Sequence, residues 1–392
     1  MNAFMDIQVH AQMLADQERM QSYRDALHEV VQKDDVVVDF GTGTGVLAAF
    51  ACQAGAARVY AIERLPIVEV ARATVAASGF ADRVVFYEQD FATVDLPQRA
   101  DVLVSETLGS FGVGETSFGT LVDCRERMLR QSGRMIPHRV RLFAAPVSAP
   151  EFYDLLSFAA TQRFGLDLAA AKELALNQHQ GTHITTTQCL SPAIPLCAIN
   201  LATVDRSTAD RLDIQVDFPL EKEGTVHGIA GWFEADLTPS VTLSNAPTRR
   251  PSSWQHSFFP LLQPVALIGG EHLTLRLRMD CLDTDHFIWR WDSRIARVEH
   301  GIRVMVAHFQ QDSFRGRIIS RNPLRSTAPA YAPRSTPDGE VTRFLLEHVD
   351  GTQTEEDLIA LWHRQHPPTT APDQRSRLQR LIRRALVLGD IA

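Results

Sequence analysis

Asp35-Val-Val-Val-Asp39-Phe-Gly-Thr-Gly-Thr-Gly45 is the stretch that decides the fold. Its valines form a short apolar strand, the alternating glycines form a turn, and an Ala/Leu/Phe-rich helix is predicted over about 46–53. Strand, Gly-rich turn and helix in this order make the first β-α unit of a nucleotide-type fold. A second strand, Arg58-Val-Tyr-Ala-Ile62, ends in Glu63, roughly 20 residues beyond the glycines, where an acid binds ribose hydroxyls. So far NAD and S-adenosyl-L-methionine fit equally. Asp39 separates them: a carboxylate directly before Gly41, Gly43 and Gly45 repels a pyrophosphate and attracts the ammonium of a methionine moiety, which favours S-adenosyl-L-methionine.

The next strand, Arg83-Val-Val-Phe-Tyr-Glu-Gln-Asp90-Phe91, ends in a pair that can accept from an adenine amino group and pack on its ring. The alternative for Phe91 is a core aromatic at a strand end. A fourth strand, Ala100-Asp-Val-Leu-Val104, leads into Ser105-Glu106-Thr-Leu-Gly-Ser-Phe-Gly-Val-Gly-Glu115. Glu106 and Glu115 are thereby placed at the carboxyl edge of a parallel sheet, where such folds bind ligands. Two acids on one Gly-rich loop point to a cationic substrate; the alternative for either one alone is a solvated loop acid.

With these residues in view, the chain resembles the protein arginine methyltransferases. Val37 to Gly45 reads as that family's glycine-rich first motif, and Ser105 to Glu115 as its paired-glutamate loop, with the spacing of the two acids retained. His10-Ala-Gln-Met13-Leu-Ala-Asp16-Gln-Glu-Arg19 resembles the segment that covers the cofactor, and the resemblance implies that Arg19 binds the cofactor carboxylate, with His10 and Met13 in support. Ile136-Pro137 resembles the crossing into a β-barrel, Val226 to Phe233 one of the barrel strands, and Ser252-Ser253-Trp254 the Thr-His-Trp loop. For Trp254 a barrel-core position and a role in closing the substrate pocket both remain open.

The resemblance covers about residues 1–320 and has departures. Phe4 stands where the family's amino-terminal helix carries a tyrosine, and Ser253 where a histidine usually supports the active-site acids. The loop after Ser105 resembles the symmetric-dimethylating branch, Met13 fits the asymmetric branch, and Ser117 matches neither. Product type is therefore not legible.

The organisation expected is α/β: amino-terminal helices over 1–34, a Rossmann-like class I methyltransferase sheet domain over 35–137, and a β-barrel domain over 138–321. A helical insertion over about 151–182 takes the place of the family's dimerisation arm, although its apolar stripe could instead cover the protein's own sheet domain. Residues 322–337 contain four prolines and little periodicity, as in a linker. Beyond it, 338–392 shows three amphipathic helical segments, the second capped by Thr354. This tail resembles the small helical or winged-helix modules that bind leader peptides, which implies peptide docking; a cap on the barrel is the alternative. Its Arg375, Arg377, Arg380, Arg383 and Arg384 sit beside an apolar tail and argue weakly for DNA.

Composition bounds the function. The 392 residues are 45% hydrophobic with a net charge of −8 and a pI near 6.0, enough for two or three cores and a poor match to a nucleic-acid partner. An acidic surface can steer basic peptides inward. No apolar run reaches about 18 residues and no secretion signal is visible, which gives a cytoplasmic expectation without membrane contact. The five cysteines lack metal-ligand spacing, so neither a metal nor a disulfide is expected. The expected activity is S-adenosyl-L-methionine-dependent methylation of arginine in a protein or peptide by a homodimer. Free arginine, another small nucleophile, or cofactor binding without turnover are the alternatives.

Overall fold

The computed structural model describes residues 6–158, 164–283, 286–317, 340–341, 343–344, 348 and 354–366. Phe4, the expected linker over 322–337 and the helical segment over 375–388 lie outside the described residues. The chain divides into two compact units, Met1–Asp280 with Ile288–Arg317, and Cys281–Phe287 with Ile318–Ala392.

The first unit begins with α1 (Ile7–Ala15) and α2 (Gln17–Val30). Each starts at an aspartate whose side chain accepts a backbone N–H of the first turn, Asp6 from Gln8 and Asp16 from Arg19. Five strands follow, β1 (Val36–Phe40), β2 (Arg58–Glu63), β3 (Val84–Glu88), β4 (Ala100–Ser105) and β5 (Leu129–Ile136), with α3 (Val46–Ala54), α4 (Val68–Ala77) and α5 (Phe118–Met128) among them. They form one parallel sheet in the order β3-β2-β1-β4-β5. Strand β1 is buried along its whole length, as its unbroken apolar run requires between two covered faces. Sequential strands run outward from β1 to β3, then the chain returns to β4 on the other side of β1. Between β1 and β4 the strand order reverses, and at the carboxyl ends of such a pair doubly wound sheets bind their ligands. Register sets Phe40 beside Ile62 on one side and Ser105 on the other, so the ends of β1, β2 and β4 are level there.

After β5 the chain builds two antiparallel sheets, the expected barrel. Its elements are β6 (Arg139–Val147), α6 (Pro150–Leu156), α7 (Ala169–Leu176), β7 (Gln180–Thr182), β8 (Ile194–Asn200), α8 (Arg206–Ala209), β9 (Arg211–Leu220), β10 (Glu223–Asp236), β11 (Thr242–Ser244), β12 (His256–Ile268), β13 (Glu271–Asp283), β14 (His286–Glu299) and β15 (Ile302–Asp312). One sheet has the order β7-β12-β10-β6-β8 with β11 paired to β10; the other has β15-β14-β13-β9. Phe259 of the first sheet meets Trp289 and Trp291 of the second, and the Trp291 indole donates to the Pro260 carbonyl at 3.0 Å. The inner strands therefore close on an aromatic core whose polar N–H is satisfied.

Within the expected insertion, α6 and α7 are helical, whereas residues 180–182 join the barrel as β7. Tyr153 is buried, and its hydroxyl donates to the Leu262 carbonyl at 3.0 Å. Leu155, Phe164 and Leu166 face solvent at 70%, 73% and 60% exposure. Among the described residues no helix is long and apolar enough to cross a membrane.

In the second unit, Thr354 caps α9 (Glu355–Gln365) through a reciprocal pair of bonds with Asp357. Val341, Phe344, Leu358, Ile359 and Trp362 make a small core of its own.

Candidate active site

Asp39 is the penultimate residue of β1 and is fully buried. The Thr42 hydroxyl donates to its Oδ2 at 2.5 Å, while Oδ1 has no hydrogen-bond partner among the described residues. Burial, against the favourable Thr42 and Ala48 hydrogen bonds and with the nearby Glu63 charge adding to it, pushes its carboxyl up to about 7. Among the described residues no cation pairs with this buried acid. Gly41, Gly43 and Gly45 all adopt positive φ, which lets the turn wrap the end of β1. At Gly43 a side chain would also meet the His10 ring, whose Cε1 lies 3.3 Å from the position a Cβ would take. His10 of α1 is itself buried against this turn.

Glu63, the last residue of β2, accepts the Gly43 N–H at 3.1 Å on one oxygen and the Leu65 N–H at 2.9 Å on the other. Each oxygen retains a further lone pair for a ligand hydroxyl. Asp90 is exposed and its Oδ1 caps a short 3₁₀ turn over Phe91–Thr93 by accepting the Ala92 N–H at 2.9 Å. Phe91 is buried, with its ring stacked on Phe40 at 3.8 Å. Asp90 thus stays at the surface, and Phe91 lies within the core.

Glu106 leaves the end of β4 and forms an ion pair with Arg19 of α2. Arg19 also lies over the Trp254 ring, 4.1 Å from its centroid, and donates to the Ser253 hydroxyl at 3.1 Å and to the Met13 sulfur at 3.3 Å. Burial is the largest influence on Arg19 and lowers its pKa, opposed by Tyr23, Glu115 and Asp16. Arg19, Met13, Glu106, Glu115, Ser253 and Trp254 therefore belong to one neighbourhood although they come from three distant stretches. Glu106 Oε1 and Arg19 Nε have no hydrogen-bond partner among the described residues.

Several residues that build this neighbourhood carry little signal in the sequence. Tyr23, fully buried, donates to the Ser105 carbonyl at 3.0 Å and so fixes the point where the loop begins. Asp16 accepts the Ser253 N–H at 2.7 Å and its hydroxyl at 2.9 Å, while its other oxygen caps α2. The Ser253 hydroxyl thus serves Asp16 and Arg19. At the far end of the loop, Asp210 accepts from the Ser117 hydroxyl at 2.6 Å and the Gly119 N–H at 3.0 Å, holding the start of α5. Of these, only the helix-capping habit of Asp16 and Ser117 was open to prediction.

The arrangement has a stated chemistry. A buried acid lies at the glycine turn, one acid at the end of β2 is held by backbone, and a pair of acids flanks a loop with a guanidinium already against one of them. Such a crevice accepts a ligand carrying an ammonium and hydroxyls beside a planar cation.

Comparison with known proteins agrees. Residues 138–287 match the family model described as the arginine methyltransferase oligomerization subdomain, and residues 24–111 match that of ribosomal protein L11 methyltransferase (PrmA). The chain is similar to the arginine N(omega)-methyltransferase of Streptomyces achromogenes subsp. streptozoticus, with 33% identity over 68% of this chain and 75% of that protein. It is 28% identical to protein arginine N-methyltransferase 2 of Homo sapiens over 68% of this chain and 65% of that one. The fold is shared with a solved structure, the Trypanosoma brucei PRMT1 enzyme-prozyme heterotetrameric complex with AdoHcy, at a TM-score of 0.71 and 22% identity, over 79% of this chain and 99% of that one.

Proposed function

Since the chain belongs to the arginine methyltransferase family, we propose that it transfers a methyl group from S-adenosyl-L-methionine to a guanidino nitrogen of arginine in a protein or peptide. The observation that carries this reading is Glu106 engaged with a guanidinium, that of Arg19, on a loop whose other end holds Glu115. On this reading the two acids would grip the arginine side chain of the substrate.

The residues present fit the cofactor. Asp39 offers a buried Oδ1, unpartnered among the described residues, to an ammonium, Arg19 a guanidinium to a carboxylate, and Glu63 its spare lone pairs to ribose hydroxyls. His10 and Met13 would close over it, and Asp90 with the Phe91 wall would meet the adenine. When bound, S-adenosyl-L-methionine supplies an electrophilic methyl on a sulfonium. Glu106 and Glu115 would accept planar N–H bonds from the substrate, orient one terminal nitrogen and concentrate positive charge on the other. Trp254 and Met13 would close on the site, and a carboxylate of the pair or water would take the proton released on transfer.

Free arginine is a second reading, favoured by the Streptomyces relative, whose name specifies arginine rather than protein arginine. For a peptide acceptor, the α9 unit is proposed as a docking module, in keeping with its separate core. A homodimer and a cytoplasmic location complete the proposal; the exposed Leu155, Phe164 and Leu166 and the match to an oligomerization subdomain support the first. Incubation with labelled S-adenosyl-L-methionine and either free arginine, an Arg-rich peptide or a histone-like protein tests the reading. Label on a guanidino nitrogen supports it, and absence of transfer to all three acceptors, with cofactor still bound, returns the chain to a regulatory role.

A further inference from the structure

Asn245, the residue after β11, is buried and uses every hydrogen-bonding group of its side chain. Oδ1 accepts the Phe233 N–H at 2.9 Å, and Nδ2 donates to the Ser110 carbonyl at 2.9 Å and to the Gln255 carbonyl at 3.1 Å. A carboxamide has two N–H donors, and both are taken. One side chain therefore joins β10, the approach to β12, and the middle of the loop between Glu106 and Glu115.

That loop needs outside support. Between the two acids it contains Gly109, Gly112 and Gly114, which leave the backbone free to adopt many conformations when unfastened. Its own backbone contributes a Gly112 N–H to Gly109 carbonyl bond at 2.7 Å. Arg19 and Tyr23 of α2 hold its start, and its middle is held from the barrel: the Trp254 indole donates to the Leu108 carbonyl at 2.8 Å, and Phe111 packs on Phe259 and Trp289 at 5.8 and 5.7 Å between ring centres. Trp289 lies close enough to Gly114 that a Cβ there would stand 3.2 Å from its ring. Phe111 holds the loop by shape, whereas Trp254 and Asn245 each hold one of its carbonyls by a directed bond, Leu108 near its start and Ser110 near its midpoint.

Resting on the methyl-transfer reading, we infer that Asn245 is a positioning residue, whose carboxamide sets the separation and aim of Glu106 and Glu115 without touching substrate. Its partners all lie on the barrel and the acid loop. None is at the glycine turn, Asp39 or Glu63, so Asn245 reaches the cofactor half of the site no more directly than through Glu106 and its partner Arg19.

Asn245→Asp tests this. The variant keeps the size and the Phe233 contact but turns an oxygen toward the carbonyls of Ser110 and Gln255. A displaced acid pair lowers kcat by about tenfold to a hundredfold, with cofactor Kd within about twofold of wild type. Amide hydrogen exchange across 107–115 in the ligand-free protein is the second readout, expected to quicken by about tenfold there and to stay unchanged in β1 and α3. Asn245→Ser serves if the aspartate does not fold. Wild-type kcat and wild-type exchange in a folded variant overturn the inference, and so does loss of the folded state in both, since Asn245 would then hold the whole barrel. A wild-type protein that methylates no arginine acceptor overturns the methyl-transfer reading instead, and the exchange measurement still decides the role of Asn245.

Discussion

Arg19 and Glu106 form an ion pair at the carboxyl edge of the parallel sheet, both shielded from solvent, and the Trp254 ring covers the guanidinium. A buried charge that loses its partner is costly, commonly about 3–5 kcal/mol. Replacing Arg19 with alanine strands Glu106 in the crevice and removes the proposed carboxylate anchor for the cofactor. Arg19→Ala should therefore lower the melting temperature and weaken cofactor binding in a calorimetric titration. A variant as stable as wild type with undiminished affinity would show that the pair supports neither.

Asp39 gives a pH signature. Its carboxyl moves from an ordinary value near 3.8 to about 7 in the folded protein, chiefly through burial. The folded state then binds a proton that the unfolded state has already lost, so stability of the ligand-free protein falls as pH rises from about 4 to about 7 and levels off above. At about 1.4 kcal/mol per tenfold change in proton affinity the effect is on the order of 4 kcal/mol. Asp39→Asn should flatten that dependence in urea titrations at several pH values. Cofactor affinity of wild type should fall as pH drops below about 7, because the acid must be charged to hold an ammonium; Asp39→Asn should bind weakly at every pH.

Ser253 reaches Asp16 with both its N–H and its hydroxyl, at 2.7 and 2.9 Å. Removing the hydroxyl leaves the backbone bond, so Ser253→Ala should fold and keep kcat within about tenfold of wild type. Asp16→Ala loses the α2 cap together with both bonds and should be the more damaging change in both melting temperature and kcat. The reverse order would mean that the serine hydroxyl acts chiefly through Arg19, whose guanidinium it also accepts from.

Trp362 lies in the small core of the second unit beside Phe344, with ring centres 5.2 Å apart. Cavity formation on Trp362→Ala costs about 3–5 kcal/mol, more than so small a core withstands. If this unit docks a peptide acceptor, the variant should raise KM for a peptide while leaving KM for free arginine unchanged. Equal KM for the peptide in both proteins would remove the docking role.

The parallel sheet was legible because the valine run before Gly41 and the acid ending the second strand are local signals. The barrel was legible only through resemblance, since its strands mix buried and exposed positions. The neighbourhood of Arg19 was partly hidden: its ion pair with Glu106 spans 87 positions, and nothing local distinguishes an arginine held by an acid from one awaiting a ligand. For Phe91 both the adenine contact and the core position were open, and stacking on Phe40 places the ring in the core wall. Asn245 gave no signal at all. In sequence it is a polar residue after a short strand, and its importance lies in three bonds to remote backbone groups.

The most direct test is single-turnover methyl transfer by wild type and Glu115→Gln, with label from S-adenosyl-L-methionine, the best of the three acceptors, and mass spectrometry of the product. Label on a guanidino nitrogen in wild type, reduced by about a hundredfold or more in the variant with cofactor affinity preserved, is the predicted result. Glu115→Gln that transfers methyl at the wild-type rate would contradict the paired-acid mechanism.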